Sequence, residues 1–265
     1  MSMKVTILGC GGSAGVPMVG GQDGYGAWGR CDPTEPKNKR SRASIFLEME
    51  NGENILVDTG PDIRAQLLSN GITAFKSIFY THAHADHIAG LDEVRAVNRI
   101  IKAPIAAYGR AVVLEEVKTR FDYIFQPMTG TNFFRAAVEA VSIAPNQDFE
   151  MAGYNFTAFQ QGHGRGQSTG LRYGSFAYST DVVELDAHAL AALAGIETWV
   201  VDCFQHEPHC AHAWLERVLE WKQLLNPRRI ILTHMGPDMD WQTLCNTLPA
   251  GVEPAWDGMT ITVPE

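Results

Sequence analysis

Residues 81–90, Thr-His-Ala-His-Ala-Asp-His-Ile-Ala-Gly, set His82, His84, Asp86 and His87 within six positions, just after the apolar run from Ser77 to Tyr80. Side chains two apart on extended backbone face the same way, so His82 and His84 can converge on one ion. Asp86 and His87 fall where the chain turns into a helix and are free to face a neighbouring ion. Ile88, Leu91, Val94 and Val97 then recur every three residues, which predicts one amphipathic helix. Without a cation, each of the four polar groups would need its own buried hydrogen-bond partner. A fold that closes around metal is therefore the first constraint on this chain.

A second segment invites a different reading. After the strand predicted at 4–8, Gly9, Gly11 and Ala14 satisfy G-x-G-x-x-A, but a dinucleotide site needs a helix directly behind the last of these. Gly15-Val16-Pro17 and further glycines follow instead, so 9–40 is a long loop and the dinucleotide reading fails. Strands are predicted at 43–50 and 54–58, turned by Asn51-Gly52. Pro61 opens a helix over 62–69 that Gly71 closes. Further strands are predicted at 154–160, 171–179, 198–202 and 229–233, and a helix at 211–225 with Trp214, Leu215, Val218, Leu219 and Leu225 on its apolar side. Strand runs dominate the first half and β-α-β alternation the second, which predicts sheets covered by outer helices in one domain, 1–265.

Charge narrows the partners. Lys and Arg number 21 against 30 Asp and Glu, a net charge of -9, which argues against an extended nucleic-acid surface. The basic stretch Lys37-Asn38-Lys39-Arg40-Ser41-Arg42 reads as a solvated loop. Five cysteines with no C-x-x-C pair suit a reducing cytoplasm. The opening apolar run is too short for a signal peptide, and no run approaches the roughly 18 residues of a membrane span.

Three more ligand-type residues end predicted strands: His163 in QGHGRG, Asp181 in AYSTD and His234 in RRIILTH. Together with Asp58 in LVDTG and the H-x-H-x-D-H run, this ordered set resembles the metallo-β-lactamase superfamily from Val5 to about Asp240. The resemblance implies an α+β fold, an αββα four-layer sandwich with a dinuclear metal site at one edge. Carried over, it assigns His82, His84 and His163 to one ion and Asp86, His87 and His234 to the other. Asp181 would bridge them and Asp58 would orient a ligand from behind. The expected cofactors are two divalent ions, Mn²⁺ or Zn²⁺.

Two such ions acidify a water to a pKa of about 7 and stabilise developing oxyanions, so hydrolysis is the natural reaction, with Asp86 in the catalytic centre. A phosphodiester also needs its leaving oxygen protonated, and Pro-His-Cys-Ala-His offers His209 and His212. The chain is most similar to the PhnP-like group of cyclic phosphodiesterases, in which His212 matches the general acid. His206 and His209 are read as noncatalytic, touching only water. Some members carry a structural zinc held by closely spaced cysteines of the first loop; here Cys31 has no closely spaced cysteine in that loop and Pro237 follows the last ligand, so none is expected.

The expectation is a cytoplasmic phosphodiesterase acting on a small cyclic phosphate or nucleotide, with no membrane partner. The resemblance implies a homodimer. The alternatives are a tRNA 3′-processing endonuclease, a thioester or lactone hydrolase, and a noncatalytic metal-binding accessory protein in cofactor biosynthesis.

Overall fold

Alternate residues of the early strands bury on opposite faces. Val5, Ile7, Ile45, Leu47, Ile55 and Val57 fall in one apolar cluster, and Leu8, Phe46, Leu56, Ile78 and Tyr80 in another. Strands apolar on both faces must be covered on both. The computed structural model, which describes residues 2–126 and 137–264, shows what covers them.

In chain order the strands are β1 (Ser2–Gly9), β2 (Ser44–Glu48), β3 (Ile55–Val57), β4 (Ser77–Phe79), β5 (Ile105–Arg110), β6 (Val138–Ile143) and β7 (Gln147–Met151). They continue as β8 (Tyr154–His163), β9 (Gly166–Tyr173), β10 (Phe176–Ser179), β11 (Thr198–Asp202), β12 (Arg229–Thr233), β13 (Val252–Pro254) and β14 (Met259–Pro264). One sheet has the order β14-β1-β2-β3-β4-β5-β6, the other β13-β12-β11-β10-β9-β8-β7. Each is antiparallel at one side and parallel at the other, the parallel runs being β3 to β6 and β10 to β13.

The helices are α1 (Ile63–Ser69), α2 (Ala85–Ile88), α3 (Val94–Ile101), α4 (Ala111–Arg120), α5 (Asp122–Phe125), α6 (Ala187–Leu193), α7 (Leu215–Leu225) and α8 (Trp241–Thr247). Ile63, Leu67, Val94, Val113 and Val117 bring the early helices onto the outer face of the first sheet. Leu193, Val218, Trp221 and Leu244 do the same for the second. The result is the αββα sandwich. Trp199, fully buried in β11, donates its indole N–H to Ser179 Oγ at 3.0 Å, so its polar atom is satisfied inside the core. None of the described helices is long and apolar enough to cross a membrane.

Several sequence expectations need correction. The single helix expected over Ile88 to Val97 is α2, a 3-10 turn at Leu91–Glu93 and α3. The break follows from a close approach: a Cβ on Gly90 would lie 2.1 Å from the Gly60 carbonyl oxygen, so the chain bends to fit beneath the loop after β3. The strand expected over 171–179 is a hairpin of β9 and β10, turned at Gly174 with φ +53°. The helix expected from 211 starts at Leu215, because Trp214 is extended at its N-cap. β-α-β units also occur in the first half, where short helices hid them, and the second half opens with antiparallel hairpins. The basic stretch is not a solvated loop: Arg40 is 2% exposed, and its guanidinium donates to Asn38 Oδ1 and to the carbonyls of Gly236 and Met239.

Candidate metal centre

The C-terminal ends of β3, β4, β8, β10, β11 and β12 converge at one edge of the sandwich, where loops are free to present side chains. β3 delivers Asp58, β4 delivers His82 and the turn into α2, and β8 delivers His163. Asp181 follows β10, Asp202 ends β11, and His234 follows β12. Asp58, Asp181 and His234 share a further property: all three are left-handed, with φ of 64°, 53° and 55°. Such a backbone costs of order 1–3 kcal/mol at a non-glycine residue and persists only where its surroundings hold it. Each strand is thereby turned sharply into the site.

The nine residues expected from the sequence all lie here. His82, His84, His163 and Asp181 form one group and Asp86, His87, Asp181 and His234 another, with the potential ligand atoms of each group within 4.8 Å of one another. Asp181 belongs to both. Its Oδ1 lies 3.4 Å from His163 Nε2 and 3.8 Å from His82 Nε2, while its Oδ2 lies 3.0 Å from His87 Nε2 and 3.3 Å from His234 Nε2. One carboxylate thus divides its two oxygens between two sets of imidazoles.

Backbone and side-chain contacts fix the ring orientations. His87 Nδ1 donates to Asp58 Oδ2 at 2.7 Å, which turns Nε2 toward Asp181. Asp58 is itself held by the Thr81 amide at 2.9 Å and the Thr81 hydroxyl at 2.8 Å. His163 Nδ1 donates to the Ala211 carbonyl at 2.8 Å, which leaves Nε2 as its ligand atom.

Divalent cations fit this donor set on two counts. The Nε2 atoms of His82, His87 and His234 are buried and make no hydrogen bond, although carboxylate oxygens stand 3.0–3.8 Å away. For His87 and His234 the distances, 3.0 and 3.3 Å, suit hydrogen bonds and the directions do not, as expected of lone pairs aimed at common points between the groups. Protonation tells the same story. Burial lowers the pKa of His87, but the carboxylates of Asp181 and Asp58 raise it well above its ordinary value. Burial likewise lowers His234, yet Asp181, Asp86 and Asp202 push it up to about 9. Burial raises Asp181 while His234, His87 and His82 hold its carboxyl well below the usual range. Positive charge is what these carboxylates demand, and protons supply it when no ion does. By contrast, His82 and His163 are pushed down, chiefly by burial, and present neutral imidazoles.

His212 stands at the mouth, 12% exposed, with its ring 4.7 Å from that of His234 and 4.9 Å from that of His163. Its Nδ1 donates to Asp202 Oδ2 at 2.9 Å, so Nε2 is the atom left free. Asp202 also accepts the Val182 amide at 3.0 Å. Sequence reasoning missed Asp202, although it closes an apolar strand in Trp-Val-Val-Asp as Asp58 does in Leu-Val-Asp. His209 has a structural part: its Nδ1 accepts the amides of Ala211 and His212, both at 3.2 Å, and so shapes the turn that presents His212.

Residues 53–235 match the family described as the beta-lactamase superfamily domain. A crystal structure of a new diphosphatase from the PhnP family is 31% identical, with a TM-score of 0.88 over 99% of this chain and 98% of its own. Zn²⁺-bound PqqB from Methylobacterium extorquens shares the fold, with a TM-score of 0.76 at 19% identity over 97% of this chain and 99% of its own. An octanoyltransferase of Porphyromonas gingivalis is 27% identical over 99% of this chain, which spans 52% of that protein's length. With its histidine and aspartate groups at the strand ends and the match to the family over most of its length, the chain belongs to the metallo-β-lactamase superfamily and is related to PhnP.

Proposed function

We propose that the chain is a metal-dependent hydrolase of phosphate esters, acting on a small cyclic phosphodiester or nucleotide. The observation that carries this is the pairing of the Asp181 carboxylate, divided between two imidazole groups, with a separate histidine, His212, at the mouth. The likeness to a diphosphatase supports hydrolysis at phosphorus. His82, His84 and His163 would hold one divalent ion, Asp86, His87 and His234 the other, with Asp181 between them; Mn²⁺ and Zn²⁺ both suit this mix of nitrogen and oxygen. Ions held there would supply Lewis acidity and acidify a water.

The remaining work falls to the chain. His212 gives a proton from Nε2 to the departing alkoxide, while Asp202 fixes the ring plane and keeps the other proton on Nδ1. Asp58 holds His87 with its free nitrogen inward. The test is hydrolysis of bis(p-nitrophenyl) phosphate by protein loaded with Mn²⁺ or Zn²⁺ against a chelated control. Metal-dependent turnover supports the proposal, and no turnover with both ions bound overturns it.

One observation favours a second reading. Nearly the whole chain aligns with half of a protein named octanoyltransferase, which suggests carboxylic ester or thioester chemistry at the same ions. Turnover of an acyl thioester with none of any phosphodiester would select it.

A further inference from the structure

The basic stretch 37–42 takes no part in the chemistry above, yet it borders a cleft of about 490 Å³. Lys37, Lys39 and Arg42 line it together with Pro17, Pro36 and Trp256. Its acidic neighbours are already engaged. Asp62 pairs with Arg42 Nη1 at 3.2 Å and accepts the Arg42 amide at 2.9 Å. Asp257 accepts the Ser41 amide at 2.7 Å, the Ser41 hydroxyl at 2.6 Å and the Cys10 amide at 3.0 Å. Lys37 rests its ammonium 3.6 Å from the centre of the Trp241 ring and 4.3 Å from that of Trp256. Among the described residues neither Lys37 nor Lys39 has a carboxylate partner, and Arg42 Nε is buried without an acceptor. In a chain of net charge -9, two unopposed ammoniums beside an unsatisfied guanidinium N–H form a local positive focus.

The cleft adjoins the metal centre. A Cβ on Gly12 would lie 2.9 Å from the Phe204 ring and 3.5 Å from the His234 carbonyl oxygen, whereas one on Gly15 would lie 3.2 Å from the Arg40 carbonyl and 3.5 Å from Arg42 Nη1. Three residues span about 11 Å at most. Gly60 makes a second partition, its Cβ position 2.3 Å from the Asp86 carbonyl and 3.6 Å from Arg42 Cβ.

We infer that this cleft binds the phosphate group of a small organic phosphate, with Lys37, Lys39 and Arg42 on the oxygens and Pro17, Pro36 and Trp256 against the carbon skeleton. The occupant is either a second phosphate of the substrate or a separate molecule. Binding does not depend on the hydrolytic proposal, because it is measured without turnover.

The experiment is calorimetric titration of the full-length, metal-loaded chain with phenylphosphonate, which resists hydrolysis, compared with Lys37→Gln/Lys39→Gln at equal metal content. The expected result is a binding event weakened at least ten-fold in the double variant, alongside a metal-centre event recognised by its loss on chelation. A variant whose every binding event matches the wild type overturns the inference. If the occupant is the substrate's own phosphate, the variant raises KM for a phosphodiester bearing a terminal phosphate at least ten-fold more than for bis(p-nitrophenyl) phosphate. If it is a separate molecule, the two KM values move alike and phenylphosphonate alters wild-type turnover without competing.

Discussion

Asp202 Oδ2 stands 2.9 Å from His212 Nδ1, while its Oδ1 lies 3.8 Å from His234 Nδ1. One buried carboxylate therefore sets the tautomer of the mouth histidine and borders a metal-centre histidine. Asp202→Asn keeps the volume and, with its amide oxygen held by the Val182 N–H, leaves His212 a neutral acceptor in place of the carboxylate charge that backs the imidazolium. Its kcat on an alkyl phosphodiester should fall by about 10²-fold or more, with metal content retained. Wild-type kcat at full metal occupancy would remove Asp202 from the mechanism.

His212→Ala should discriminate between leaving groups. A nitrophenolate departs without a proton and an alkoxide does not, so the loss should reach about 10²–10⁴-fold on a cyclic nucleotide and be much smaller on bis(p-nitrophenyl) phosphate. Equal losses on both substrates would show that His212 positions the substrate and donates no proton to it.

Asp181→Ala removes the carboxylate shared by both groups, so bound metal and activity should disappear together. Elemental analysis beside kinetics checks this; full activity with both ions retained would refute the bridging role. Asp58→Asn is milder. It unseats His87 Nδ1 and the Thr81 hydroxyl, both of which donate to Oδ2, and titration should show metal affinity weakened about 10–100-fold.

For the metal-free protein, His234 is raised from 6.5 to about 9. A folded pKa above the unfolded one contributes stability that is fully present below pH 6.5 and is lost as pH rises through about 9. Its Tm should accordingly drop over that interval, and loading with metal near pH 7.5 should release protons. A flat Tm from pH 6.5 to 9, with no proton release, would contradict the assignment.

Gly90→Ala should destabilise the protein by about 1–3 kcal/mol, because its Cβ would meet the Gly60 carbonyl at 2.1 Å. Gly60 also backs onto Asp86, so weaker metal retention should accompany the lower Tm. Chemical denaturation and metal titration on the same variant give both answers.

The centre was legible wherever its chemistry was unusual for its place. Four ligand-type side chains in six residues have few uses in a core, and His163, Asp181 and His234 each stand just past a predicted strand. Asp202 escaped because a single aspartate after a strand is ordinary; only its contact with His212 marks it. The left-handed turns at Asp58, Asp181 and His234 could not be read either, since these residue types do not require that backbone and only the packed strand ends impose it. Likewise the spacing of Ile88, Leu91, Val94 and Val97 was right for burial and wrong for continuity. Gly90, inside that spacing, meets Gly60 from a distant part of the sequence, and that contact decides where the helix stops. Arg40 shows the limit of charge runs: six polar residues in a row conceal one guanidinium that spans the interior to reach Gly236 and Met239.

Each proposed ion position draws on both halves of the chain: His82 and His84 from the first sheet meet His163 and Asp181 from the second, and Asp86 and His87 meet Asp181 and His234. Neither half carries a complete set of donors. A polypeptide cleaved between β6 and β7 would have to pair β14 of one fragment with β1 of the other and bring the two sheets face to face before it could capture a cation. Metal uptake would then serve as a gauge of reassembly, silent for either fragment alone and restored only when the two associate.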